Sequence, residues 1–339
     1  MTAIRKRLLL LAIIPATYFA ADPPAFAQNL NITNDRIQFS DGTQQSTAAT
    51  TTSSRTINVS PVVGDGVASG QALLNAIADI TTAADASSNF PYFIVIEPGV
   101  YNIQTNSITL PQYVNMRGAG PDATQIRGKP SSGADPVLLT SGDGVISDMT
   151  IRHRGGTGTS GRAVTAAGAN MRFRNVIFHV ANSFSSSATL TALSTAGGTN
   201  LVLTDCQIDI DASSNGGVAT GLAVSAAPSG VTADGLTINV APGVTPLLSV
   251  GIWAIDSGDI DITNAKIRVT PGSSGTAAVF GDTSSLIRIR NSVIEATNGN
   301  FALEGSGTPI HVLASQIIGA LGSGLTLRNC VDGNFNSIP

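Results

Sequence analysis

Residues Ile260-Asp261-Ile262-Thr263-Asn264-Ala265-Lys266-Ile267-Arg268-Val269 decide the fold. On both sides of Asn264, apolar and polar residues alternate, the period of a strand that turns one face inward. Asn is one of the few residue types that enter the left-handed α region at little cost. Two short strands joined by one left-handed residue bend sharply without reversing direction.

The pattern recurs. Met171–Val180 and Leu201–Ile210 fit beneath it closely, and Val231–Val240, Ile287–Ala296 and Ile310–Gly319 fit with more drift. The bend position is held by Asp148, Asn175, Asp205, Gly235, Asn264, Asn291, Ala314 and Asn329, with successive spacings of 27, 30, 30, 29, 27, 23 and 15 residues. Between repeats lies a third apolar segment: Ala163–Gly168, Leu222–Ser225, Val250–Ile255, Ala277–Phe280 and Phe301–Leu303. One bend per ~25–30 residues coils a chain into stacked rungs. The expected fold is all-β, a right-handed parallel β-helix with three strands per rung. A β-sandwich of hairpins gives no reason for Asn or Asp to return at the same phase of every third strand.

Composition agrees. The 339 residues include only 12% charged side chains, against about 25% in an ordinary globular chain, together with 36 Gly and 42% hydrophobic residues. That excludes a helix-rich surface, and the supply of Val, Ile and Leu excludes disorder. A net charge of −4 leaves no electrostatic footprint for nucleic acid. At the start, Arg5, Lys6 and Arg7 precede the apolar run Leu8–Ile14, and Ala25-Phe26-Ala27 follows. This predicts a signal peptide over 1–27, cut before Gln28, and a secreted, periplasmic or cell-surface protein. The apolar run stops at Pro15, far short of the ~30 Å a membrane span must cover. Residues 28–60 are expected to be an N-terminal stub with a Ser/Thr-rich linker, Asp41-Gly42 marking a tight turn. Residues 61–339 are expected to form the β-helix. One helix is expected over 69–80, capped by Ser69 and burying Leu73, Ile77 and Ile80.

Phe93-Ile94-Val95-Ile96-Glu97-Pro98-Gly99-Val100-Tyr101, then Ile108-Thr109-Leu110 and Val114-Asn115-Met116-Arg117-Gly118-Ala119-Gly120, resemble the first rungs of the pectin lyase-like superfamily. The resemblance runs from about residue 64 to the C-terminus and is densest over 64–128. It implies a right-handed β-helix whose N-terminal end is plugged by a helix. It is strongest to secreted bacterial relatives of pectinesterases and pectate lyases. Asp41-Gly42-Thr43 is similar to stubs of bacterial and phage surface fibres. Active pectinesterases place Glu where this chain has Ile103, and their Asp-Phe-x-Phe-Gly and Gly-Arg-Pro-Trp blocks do not occur here. Pectate lyases pair a Ca²⁺ cluster with a basic residue, and the third segments after residue 163 contain none.

Candidate site residues are few. Asp256, Asp282 and Glu304 fall on or just after the third segment of consecutive rungs, and Trp253, the only tryptophan, shares the rung of Asp256. Rungs stack ~4.8 Å apart, which puts such carboxylates within glycosidase separations of ~5–9.5 Å; an indole suits a sugar ring. Turn-edge acids serving only the turns are the plainer alternative. Asp256, Asp259 and Asp261 could suggest Ca²⁺, but Asp261 beside Arg288 of the next rung points to an ion-pair ladder. His179 is expected to pair with Asp209, and no Ser-His-Asp arrangement is possible from His153, His179 and His311. Cys206 and Cys330 occupy the same inward position five rungs apart, ~24 Å, too far for a bridge. They are expected to be buried free thiols.

The sequence therefore predicts a secreted, non-catalytic β-helix binding a polysaccharide or another cell-surface partner along its third-strand face, with no cofactor, metal, nucleic acid or integral membrane span. Two alternatives stay open. One is a pectinesterase-, lyase- or glycoside-hydrolase-like enzyme acting on an acidic polysaccharide through Asp256, Asp282 and Glu304. The other is a structural part of a surface fibre.

Overall fold

The computed structural model describes strands Asn31–Thr33, Arg36–Gln38 and Gln44–Gln45, and residues 55–338 apart from 131–134, 156–159, 182–187, 212–216, 226–228, 242–247, 271–274, 284–285 and 298–300. The expected signal peptide, the Asp41-Gly42 turn and the Ser/Thr run 46–54 lie outside the described residues. Two compact units divide at Ser54/Arg55. In the first, the three short strands form an antiparallel sheet with Ile32 opposite Ile37.

The second unit is a parallel β-helix. A typical rung runs Ile260–Thr263, Lys266–Val269, Gly275–Asp282. Equivalent strands of successive rungs pair in parallel and build three stacks. The first sheet carries Ile94, Met116, Ile146, Phe173, Leu203, Ala233, Ile262, Ile289 and Val312 in one inward row. The second aligns Ile126, Ile151, Phe178, Ile208, Ile238, Ile267, Ile294 and Ile317. The third, nine strands wide, aligns Val164, Leu193, Leu222, Ile252, Val279 and Leu303. All of these side chains are buried. Apart from the small Ala233, each contributes about 1.5–3 kcal/mol of transfer free energy, so the repeated inward row is what fixes rung register.

The bends follow the sequence. Asp148, Asn175, Asp205, Gly235, Asn264, Asn291, Ala314 and Asn329 all have φ between +51° and +69°. At five of these corners the N–H donates to the next rung along the stack. Asp205 donates to Asp234 O, Gly235 to Thr263 O, Asn264 to Arg290 O and Asn291 to Leu313 O, at 2.9–3.1 Å. Backbone polarity at the corner is thereby satisfied rung by rung. Gly235 suits its bend doubly, since a Cβ there would stand 2.6 Å from the Asp205 carboxylate. Ser292 and Ser315, directly after their bends, extend a polar seam on the inside: Ala265 N donates to Ser292 Oγ and Ser292 N to Ser315 Oγ.

The expected strands lengthen in the structure. Ala163–Gly168 becomes Ser160–Ala167, and Leu222–Ser225 becomes Val218–Ser225. Thr189–Ala196 is a full strand of the third sheet that its Thr/Ala composition conceals. The strand Thr56–Val59 pairs with Phe93–Ile96, so the helical coil starts ahead of residue 61.

The helix also differs from expectation at its start. It spans Gly66–Ala83, and Asp65 is the N-cap, accepting from Val67 N and Ala68 N at 2.9 Å. Ser69 lies buried inside the first turn and donates to Asp65 O at 2.7 Å. Asp65 wins because it sits where the chain is still extended, the backbone shape a cap requires. Leu73, Ile77 and Ile80 bury against the first rungs as expected. No helix among the described residues is long and apolar enough to cross a membrane.

Candidate functional site

The outward face of the third sheet carries Trp253, Asp282 and Glu304, three of the residues singled out from the sequence. Trp253, Phe280 and Glu304 occupy one register position on successive rungs. The alternation that sends Ile252, Val279 and Leu303 inward sends these three out. Trp253 and Phe280 meet edge-to-face, with ring centroids 6.1 Å apart at 86°. The pair is therefore a stepped apolar surface rather than a flat shelf, and the Trp253 Nε1 atom is buried without a hydrogen-bond partner.

Asp282 lies two residues beyond Phe280 on the same face, half-buried like Glu304. The two carboxylates are diagonal neighbours on adjacent rungs, about 8 Å apart between backbone positions at ordinary strand spacings. Asp256 is placed differently. It stands at a second left-handed corner, φ +45°, where its Oδ1 accepts from Thr283 Oγ1 at 2.6 Å and its N–H donates to Asp282 O at 3.2 Å. The structure thus brings Asp282 and Glu304 onto one face with Trp253 and gives Asp256 to the turn.

The other candidates fall into structural pairings. Arg288 does align with Asp261, yet the ion pairs run diagonally: Arg288 with Asp259 at 3.0 Å and Arg290 with Asp261. Long guanidinium side chains reach past the residue opposite them, and register alone does not show that. His179 likewise aligns with Asp209 but pairs with Asp211 at 3.0 Å, whereas Asp209 accepts from Gln207 Nε2 and Asn239 Nδ2. Among the described residues, no group of three His, Cys, Asp or Glu side chains is placed to hold a metal ion. Cys206 and Cys330 are free and buried. Burial pushes the Cys206 thiol up to about 11, which keeps it unreactive.

One cluster escaped sequence reasoning. Arg127, Lys129, Arg152 and Arg154 gather on two adjacent rungs of the second sheet, beside a cleft of about 460 Å³. A signal for it exists, since Arg127-x-Lys129 and Arg152-x-Arg154 are equivalent segments of consecutive repeats.

No family model matches the chain, and no curated protein matches it. Solved structures that are similar include the A-module of the Azotobacter vinelandii mannuronan C-5 epimerase, at 14% identity and TM-score 0.44, covering 82% of this chain and 78% of that one. The pectin methylesterase of Erwinia chrysanthemi gives 15% identity, TM-score 0.40 and 80% coverage of both chains. The pectin methylesterase of Yersinia enterocolitica gives 12% identity and TM-score 0.43, over 77% of this chain and 91% of that one. It is the strand register, independently of these likenesses, that makes the chain a parallel β-helix.

Proposed function

We propose that this protein is a secreted, non-catalytic β-helix that binds a polysaccharide along the outward face of its third sheet. The observation that supports this is the row Trp253, Phe280 and Glu304 on three successive rungs, with Asp282 beside it. An aromatic surface supplies apolar contact for the faces of sugar rings. The two carboxylates beside it accept hydrogen bonds from sugar hydroxyls. A straight, stacked surface repeating every ~4.8 Å suits an extended chain ligand better than a compact one. A glycan array probed with the purified protein and with Trp253→Ala and Phe280→Ala tests it. Binding that survives both substitutions refutes this use of the face.

A second function, a carbohydrate-active enzyme, is favoured by one observation, the diagonal pair Asp282 and Glu304. Two carboxylates on one face of adjacent rungs are the kind of pair that acid–base hydrolysis of a glycosidic bond employs. Release of sugar or uronide by the purified protein, abolished in both Asp282→Asn and Glu304→Gln, would establish the enzyme in place of the binder.

A further inference from the structure

At several places on the outer surface, cations stand next to acids of a neighbouring rung. Arg268 meets Glu295 at 2.8 Å, Arg288 meets Asp259 at 3.0 Å and Arg117 meets Asp148 at 3.2 Å. The second sheet holds a different arrangement. Arg127 and Arg152 stand directly opposite each other on adjacent strands. Like charges so placed destabilise a ladder. Arg127 Nε donates to the neutral amide oxygen of Gln125 at 3.1 Å, and Arg152 Nε is buried with no hydrogen-bond partner. Arg127, Lys129 and Arg152 form no ion pair among the described residues. Burial first, then the charges of Arg152 and Arg154, hold the Arg127 guanidinium below its ordinary pKa.

Just beyond the ends of the same strands, Lys129 and Arg154 line a cleft of about 460 Å³ together with Asn102, Gln104 and Thr105. At the near end of the third sheet, Arg162 has a second buried guanidinium Nε without a partner. A chain of net charge −4 has acids to spare, yet none among the described residues pairs with Arg127, Lys129 or Arg152. Holding the cations together costs folding stability, and an anion arriving from outside recovers it.

We infer that the cleft beside Arg127 and Arg152 is a binding site for an acidic oligosaccharide, one bearing carboxylate or sulfate groups. Guanidinium forks match either group with two parallel hydrogen bonds. The amides of Asn102 and Gln104 and the hydroxyl of Thr105 offer both donors and acceptors to sugar hydroxyls. Single-stranded nucleic acid combines a basic groove with aromatic side chains on which bases stack; among the described residues no aromatic side chain lines this cleft. The site lies on a different sheet from Trp253 and Phe280 and is independent of the function proposed for that face.

The test is calorimetric titration of the purified chain at low salt with four probes: hexagalacturonate, a heparin hexasaccharide, neutral maltohexaose and a single-stranded DNA hexamer. At least one acidic sugar binds, salt weakens it, and maltohexaose does not bind; which acidic sugar it is identifies the charged group recognised. Arg152→Gln and Arg127→Gln each weaken binding about tenfold, the scale of one charge-assisted hydrogen bond. Lys129 is exposed, so Lys129→Gln weakens binding without touching the fold and carries the test if an arginine variant does not fold. Lys266→Gln, exposed on a distant rung of the same sheet, leaves affinity unchanged. The site is refuted if neither acidic sugar binds, if binding survives Arg127→Gln and Lys129→Gln, or if DNA binds as tightly. It is equally refuted if acidic-sugar affinity falls in Trp253→Ala and persists in the arginine variants.

Discussion

Asn264 Nδ2 donates a hydrogen bond of 2.8 Å to Asp234 Oδ1, one rung back, while the Asn264 backbone sits at φ +55°. The side chain tethers adjacent rungs at the same corner where the backbone adopts a shape most residues resist. Asn175 and Asp148 repeat the relationship at 2.9 Å. The two effects separate by substitution. Asn264→Val loses the tether and adds left-handed strain of about 1–2 kcal/mol. Asn264→Gly loses the tether alone, about 1 kcal/mol for an exposed bond. Circular dichroism melts are expected to rank wild type above the Gly variant and the Gly variant clearly above Val. Equal melting of the two variants would mean that backbone strain at 264 is negligible.

Gly251 packs a strand of the third sheet against the interior. A Cβ there would collide with the Ala278 carbonyl and come within 2.7 Å of Ile267 Cγ2. Gly251→Ala is expected to cost about 1–3 kcal/mol, the usual penalty of overpacking. Gly275, whose Cβ would meet only the movable end of Leu248 at 3.3 Å, should tolerate Ala with little change. Urea midpoints of the two variants make the comparison.

The thiols of Cys206 and Cys330 each donate to backbone carbonyls of their own surroundings, Cys206 to Phe173 O at 3.5 Å and Cys330 to Val312 O at 3.5 Å. Native protein is expected to react slowly with a thiol reagent at pH 8. Denatured protein should take up two equivalents without prior reduction. Uptake that needs a reductant would mean the cysteines are bridged, which the stacked register forbids.

His153 points inward, and its Nδ1 accepts from Gly155 N at 3.2 Å. Burial, with a smaller push from Lys129, lowers its pKa to about 4. In the unfolded chain the imidazole titrates near 6.5, so between these values the unfolded state takes the proton first. The histidine's contribution to stability is complete above about pH 6.5 and is lost as pH falls toward 4. The size is of order 3 kcal/mol. Urea unfolding between pH 7 and 4 should show a slope that flattens in His153→Gln, and an unchanged slope would contradict the buried neutral imidazole.

What the sequence determined by itself is local. Backbone strain is a property of single residues, so the left-handed corners at Asn175, Asp205 and Asn264 were visible as residue types at a fixed phase. The inward rows were visible too, because a strand's two-residue period writes its buried face directly into the chain. From those two facts the rungs, the separated cysteines and the outward placement of Trp253 and Glu304 follow. The neighbours on the outer surface were decided only by the tertiary structure. Residues that touch there are 25–32 positions apart, and which of them meet depends on the reach of long side chains and on the exact corner geometry. His179 therefore meets Asp211 in place of Asp209, and Asp256 is held by Thr283 at a second left-handed corner that the sequence did not reveal. Arg127 comes to face Arg152 for the same reason, since stacking register places like charges together wherever consecutive repeats carry them at one phase.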